Sequence, residues 1–235
     1  MDDLVDLHRA ILDLHPPNHE GHVKSVDELL FYLRKRGEKP GMVADLDECI
    51  TRGRVALGLY TPGDSDYAPR FRHLVADLQY IVHKLEITSD ILDSSGHSTA
   101  LHNLLVCLRD MASEGQTSAN VDELVAVSRA TLKLCPSGHS EHIESLTTLA
   151  ACLRHRFKQQ GVVADIDDAI ILHKEALEVF TPGSSDSAPF FCKLARCLSD
   201  RFTKLSGRAD LDDAIKFEQT ALALYPLDHP DHCGK

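Results

Sequence analysis

The sequence predicts an all-α solenoid of stacked helix pairs, and three observations carry that prediction. One stretch recurs at a fixed period, each copy spaces its apolar residues as a helix does, and no segment alternates apolar and polar residues as a strand would. The organising stretch runs from Ala164 to Gly183, ADIDDAIILHKEALEVFTPG. It returns as ADLDDAIKFEQTALALYP from Ala209 and ADLDECITRGRVALGLYTPG from Ala44, and more weakly as NVDELVAVSRATLKLCP from Asn120 and MDDLVDLHRAILDLHPP from Met1. Aligning Leu46, Val121, Ile166 and Leu211 gives steps of 75, 45 and 45 residues, and Met1 lies 45 before Leu46. The period is therefore 45, with one interval short of two periods. Repeats of this kind pack on their neighbours rather than around one central core.

Each copy opens on an Asp or Asn followed three residues later by an acid: Asp45 and Glu48, Asn120 and Glu123, Asp165 and Asp168, Asp210 and Asp213. Such a side chain can cap free backbone N–H groups, and acids suit the positive end of the helix dipole, so each pair predicts a helix start. Ile166, Ala169, Ile170, His173, Ala176, Leu177 and Phe180 then follow at intervals of three and four, giving one buried stripe. Pro182-Gly183 stops it, as do Pro62-Gly63, Pro136 and Pro226 in the other copies. This is the second helix of each pair. The first helix is clearest in SAPFFCKLARCLSDRFTKLSG from Ser187 and SEHIESLTTLAACLRHRFKQQG from Ser140, where Leu194, Ala195, Leu198 and Phe202 match Leu149, Ala150, Leu153 and Phe157. Equivalent segments cover about 19–36, 66–83 and 97–112.

The 235 residues are 43% hydrophobic and 26% charged, ordinary values for a globular chain, with no Trp. Against 36 Asp+Glu stand 25 Lys+Arg, a net charge of −11 that repels phosphate and argues against nucleic acid or an anionic membrane as partner. The acidic start MDDLVDLHRA lacks the basic and apolar regions of a signal peptide, and no apolar run is long enough to cross a bilayer. A cytoplasmic protein is expected. Of seven Cys, Cys107, Cys152 and Cys197 step by 45, which reads as small buried apolar residues rather than a disulfide or zinc framework.

The order Leu194-Ala195, Leu198, Ala214, Ala221-Leu222, Leu224 and Pro226 resembles the tetratricopeptide repeat (TPR), whose paired helices pack through small residues at those places and close on a Pro. Relative to the common 34-residue unit, the chain carries about eleven extra residues, mostly in SDRFTKLSGRAD and its copies. That is similar to the longer repeats of kinesin light chains. The wording ADLDDAI and TPGSSDSAP resembles large fungal arrays that accompany CHAT peptidase or NTPase domains. The resemblance implies a right-handed α–α superhelix over 1–235: an orphan helix at 1–15, pairs over 18–60, 66–94, 97–135, 139–180 and 186–226, and a truncated tail at 227–235.

Two departures stand out. The 75-residue interval loses its 15 residues between Val82 and Ile91, and no Pro or Gly interrupts Phe71 through Leu92. One helix of roughly 25 residues is expected there, with a kink or division near 94–97. The ends also lack the polar capping repeats of a solenoid, which suggests a piece of a longer array or end-to-end pairing with another copy.

Candidate chemistry is sparse. The pairs His19/His22, His139/His142 and His229/His232 have i, i+3 spacing, but no acid or Cys recurs beside them to complete a metal site. His155 near Cys152 is a helix neighbour without a base, an oxyanion donor or a pocket. The glycines of TPGDS and TPGSS follow helices, not strands, and so form turns rather than a phosphate loop. Arg36, Arg156 and Arg201, late in the first helices, are expected to pair with the acidic start of the next helix, at Asp168 or Asp213. No catalytic residue, metal or cofactor is expected.

In TPR arrays the first helices line a concave groove. Carried over on the Leu-Ala signature, its places are Lys24, Asp27, Phe31 and Arg34; Arg72, Ala76 and Gln79; His102, Val106 and Arg109; Thr147, Ala151 and Arg154; and Lys193, Arg196 and Asp200. Arg34, Arg109 and Arg154 hold equivalent places, and a row of guanidinium groups would suit an extended acidic peptide. The expectation is a non-catalytic scaffold that binds a protein or peptide, with a regulatory segment of a larger fungal CHAT-peptidase or NTPase protein as the alternative.

Overall fold

A computed structural model describes residues 2–16, 19–37, 43–59, 67–88, 102, 104–109 and 121–225. Among them every regular element is helical. The chain divides into two compact units, 1–141 and 142–235. The first holds α1 (Asp2–Leu14), α2 (His22–Gly37), α3 (Val43–Leu57), α4 (Tyr67–Thr88) and α5 (Val121–Leu134), with helical residues also at 104–109. α1 packs on α2, α2 on α3, α3 on α4, and α4 on α5. The second holds α6 (His142–Gln160), α7 (Val163–Glu178), a 3-10 turn (Ser185–Ser187), α8 (Ala188–Leu205) and α9 (Arg208–Leu224), each helix packed on the next.

The expected stripes are the buried ones. Leu149, Ala150, Cys152 and Leu153 of α6 are buried, and so, 45 residues on, are Leu194, Ala195, Cys197 and Leu198 of α8. Cys107 is buried too, and burial pushes the Cys197 thiol up to about 12, which keeps it protonated and apolar in character. In α7, Ile166, Ala169, Ile170, His173 and Ala176 are buried. Leu177 and Phe180 are only half-buried, Phe180 lying beyond the helix end at Glu178. Each fully buried Leu or Ile contributes about 1.5–3 kcal/mol, so neighbour-to-neighbour contact supplies the dominant favourable term.

The turn inside the pair repeats bond by bond between the two pairs of the second unit. Gly161 N–H donates to the Phe157 carbonyl at 2.8 Å, and Ser206 N–H donates to Phe202 at 2.7 Å. Both residues are left-handed, with φ of 73° and 57°, a conformation that suits Gly161 and strains Ser206.

Asp45, Asp165 and Asp210 are not used as the predicted caps, and Asn120 lies outside the described residues. Val162 and Gly207 hold the N-cap positions of α7 and α9, neither helix has a side-chain cap, and Asp165 and Asp210 lie inside the first turn. The tight turn starts each helix three residues early, and a guanidinium from the preceding helix takes the carboxylate in charge-assisted bonds.

α4 is the expected long helix. It runs unbroken for 22 residues, burying Tyr67, Phe71, Leu74, Leu78 and Ile81 along one stripe. Residues 89–92, where the helix was expected to finish, and the expected kink at 94–97 lie outside the described residues, as does the tail at 227–235. α1 buries Val5 and Leu12 and leaves Leu4, Leu7 and Leu14 exposed.

Candidate interaction surface

In three of the pairs the charged framework comes from one Arg late in the first helix. Arg36 grips Asp45 with two parallel bonds, Nε to Oδ2 at 2.7 Å and Nη2 to Oδ1 at 2.6 Å, and its Nη1 lies 3.4 Å from Asp2 Oδ1. Arg201 repeats this on Asp210 at 2.9 and 2.5 Å and reaches Asp167 at 2.5 Å. Arg156 grips Asp165 at 2.6 Å through both nitrogens. One guanidinium thus joins a first helix to the second helix after it (nine residues on) and, for Arg36 and Arg201, to the second helix before it (34 back). The expected pairing holds in kind, but the partners are Asp165 and Asp210, one helical turn before Asp168 and Asp213. The bonds to Asp45 hold the Arg36 guanidinium above its ordinary range despite the burial that opposes its charge.

The groove residues separate into exposed and engaged. On α2, Lys24, Asp27 and Phe31 share one exposed stripe, with Phe31 55% accessible. On α4, Arg72, Ala76 and Gln79 are exposed along one face. His102 is exposed with Nδ1 3.2 Å from Glu141 Oε2, while Val106 and Arg109 are half-buried. In the second unit Arg196 is exposed, Lys193 is half-buried with Nζ 5.0 Å from the centre of the Phe190 ring, and Ala151 is half-buried. Thr147 is buried, its hydroxyl donating to the Glu144 carbonyl at 3.1 Å, so its side chain does not reach solvent.

Of the three arginines expected to line a groove, Arg34 and Arg154 are held by acids of their own unit, and Arg109 is not free either. Arg34 pairs with the buried Asp77 of α4, and Arg154 Nε donates to Asp200 Oδ2 at 2.6 Å, with Lys158 Nζ 3.5 Å from the same oxygen. Asp77 lies 43 residues after Arg34 and Asp200 46 after Arg154, so neither acid falls on the 45-residue period that guided the sequence reading. Lys24, Arg72 and Arg196 carry no ion pair among the described residues.

The histidine pairs have a local explanation. His19 Nδ1 accepts the Gly21 N–H at 3.0 Å and His139 Nδ1 accepts the Glu141 N–H at 3.1 Å, so each ring closes the turn into a first helix. His22 has its Nδ1 2.5 Å from the His15 carbonyl, and His142 has its Nε2 3.8 Å from Glu175. No described cluster of three His, Cys, Asp or Glu side chains is close enough to hold a metal ion.

Two clefts lie beside these helices, built by helix packing that repeat spacing does not reveal. One in the first unit, about 460 Å³, is bordered by Leu12, His22, Val26, Glu48, Arg52 and Val55. Burial raises the Glu48 pKa, but hydrogen bonds from Arg9 and Arg52 overcome it and hold the carboxyl below its ordinary range. The other, about 590 Å³, lies between α8 and α9, with Arg196, Asp200, Leu211, Ile215 and Glu218 on its walls.

No family model matches the chain, and no curated protein matches it in sequence. Among solved structures it is similar to the nearly identical TPR-like repeats of Podosopora anserina, assigned there to a kinesin light chain, at TM-score 0.52 and 14% identity. A single-substitution variant of those repeats matches at TM-score 0.53 and 14% identity. Each match covers 95% of this chain and 93% of the other. At that identity the likeness defines the fold: the chain is a TPR-like array of helical repeats. Among the described residues no helix is long and apolar enough to cross a membrane.

Proposed function

We propose that the chain is a non-catalytic scaffold that binds a protein or peptide through the exposed faces of its first-type helices. The observation that carries this reading is the stripe on α2, where Phe31 stands 55% exposed in line with Lys24 and Asp27. An exposed aromatic among charges offers a contact that gains most when a partner covers it, the usual composition of a binding hot spot. A TPR-like fold supports an interaction role, although fold alone does not assign function. The preference for acidic partners rests on Lys24 and Arg72 in the first unit and Arg196 in the second, because Arg34 and Arg154 already hold acids.

An acidic peptide array tests this. Wild-type protein retains a subset of sequences, and Phe31→Ala combined with Arg72→Glu lowers their retention at least tenfold while leaving circular dichroism unchanged. Equal retention by wild type and variant contradicts the assignment of this face.

A further inference from the structure

We infer that the 460 Å³ cleft of the first unit is a binding site for a small phenolic molecule, its ring stacked on the Arg52 guanidinium over Val26 and its hydroxyl donating to His22 Nε2. Three consecutive helices wall the cleft: Leu12 comes from α1, His22 and Val26 from α2, and Glu48, Arg52 and Val55 from α3. Its volume is in the range of small-molecule sites. None of these residues belongs to the exposed stripes of α2 and α4.

The repeat shows what this cleft lacks. Leu46 and Leu211 hold equivalent places 165 residues apart, and at that offset Val26 and Arg52 correspond to Phe191 of α8 and Phe217 of α9. Those two rings stack, with centroids 5.8 Å apart and planes 19° apart. Beside them Phe180 packs on Phe190 at 4.8 Å, and the corresponding residues of the first unit, His15 and Ser25, meet instead through a hydrogen bond, Nδ1 2.6 Å from Oγ. One aromatic contact of the second unit thus has a polar replacement in the first. The other has none among the described residues: Val26 is shorter than Phe, and Arg52 is drawn to Glu48, its Nε donating to Oε1 at 2.7 Å. The contact between α2 and α3 is short of one flat ring, and the cleft lies there.

The walls state which ring. Arg9 Nε donates to Glu48 Oε2 at 3.2 Å, so with Arg52 the carboxylate already has two guanidinium partners, and the wall disfavours a cation. A guanidinium plane favours the face of an electron-rich aromatic ring. His22 is only 6% exposed, and its Nδ1 lies 2.5 Å from the His15 carbonyl. Nδ1 therefore carries the proton of the neutral ring and donates it there, which leaves Nε2 as an acceptor. That Nε2 has no hydrogen-bond partner among the described residues. In the second unit the place of His22 is taken by Ser187, whose hydroxyl donates to the Ser184 carbonyl at 2.6 Å, so the polar group there is satisfied within the chain. A buried acceptor without a donor is costly, and a phenol brings both the missing ring and the missing donor.

The probe is p-cresol, titrated into the full chain while the methyl NMR signals of the protein are followed. Saturable shifts are expected at Leu12, Val26 and Val55. Toluene, which has the same shape without the hydroxyl, should bind about tenfold more weakly, the equivalent of one hydrogen bond. Val26→Phe with Arg52→Phe rebuilds the stacked pair of the second unit and should abolish p-cresol binding while keeping or raising Tm. Val55→Trp, at a position 54% exposed, covers the mouth from outside the core and should also abolish it. Absence of saturable shifts, equal binding of toluene and p-cresol, or unchanged p-cresol binding by either variant overturns the proposal.

Discussion

Arg36 and Asp45 are both nearly inaccessible, so removing one leaves a buried charge without its partner. Asp45→Ala should cost about 3 kcal/mol, read from urea denaturation. The joint change Arg36→Met with Asp45→Asn should recover most of that loss, because Met111 and Asn120 already hold those two places in the copy 75 residues on. A double variant as unstable as the single one would contradict the pairing. The sequence announced an Arg held by an acidic helix start but not which acid, since Asp165 and Asp168 differ by about one turn and the choice depends on where a two-residue connection lets α7 begin. His173 is buried, its Nδ1 has no partner, and burial with Lys193 and Arg154 nearby pushes its pKa down to about 3. As pH falls below about 6.5 the unfolded chain takes up a proton that the folded chain refuses, so stability falls with pH from there toward 3. The loss between pH 6.5 and 5 should be about 1–2 kcal/mol. His173→Leu should flatten that part of the profile, and an unchanged slope would show the ring is not buried neutral.

At the scale of elements, connections and close approaches decide what propensity does not. Ser206 occupies the left-handed position that Gly161 holds one repeat earlier. Ser206→Gly should therefore raise stability by about 1 kcal/mol, measured as a higher Tm, and a lower Tm would contradict the strain. Gly53 works in the opposite sense: a Cβ there would stand 2.8 Å from Leu74 Cδ1, so α3 meets α4 through a missing side chain. Ala is the better helix former, yet Gly53→Ala should destabilise by about 1–2 kcal/mol as Leu74 is displaced within a packed core. That 71–88 is one unbroken helix was legible because nothing in that stretch could break it. Lys24, Asp27 and Phe31 were places implied by the TPR resemblance, and all three are exposed on α2. The engagement of Arg34 by Asp77 and Arg154 by Asp200 was not legible, because those acids sit off the period and meet their partners only through helix packing.

For the molecule as a whole, periodicity made the fold readable. A 45-residue copy carries its own start signal, stripe and stop, so helix order, the buried cysteines and the pairing of first with second helices could be read without a partner sequence. The surface was harder to read because exposure depends on which neighbour lies alongside: Ile170 and Ile215 are the same residue in the same repeat position, one buried and the other half exposed beside a cleft. The claim beneath the whole account is that equivalent residues of successive copies occupy equivalent places in one helical-repeat fold. Amide hydrogen exchange on the full chain, resolved by residue, tests it most directly. Protection should repeat at a 45-residue offset between α6 and α8 and between α7 and α9, and should run without interruption from 71 to 88 in α4. Fast-exchanging amides in the middle of α4, or protection in α6 and α7 that bears no relation to that in α8 and α9, would contradict it.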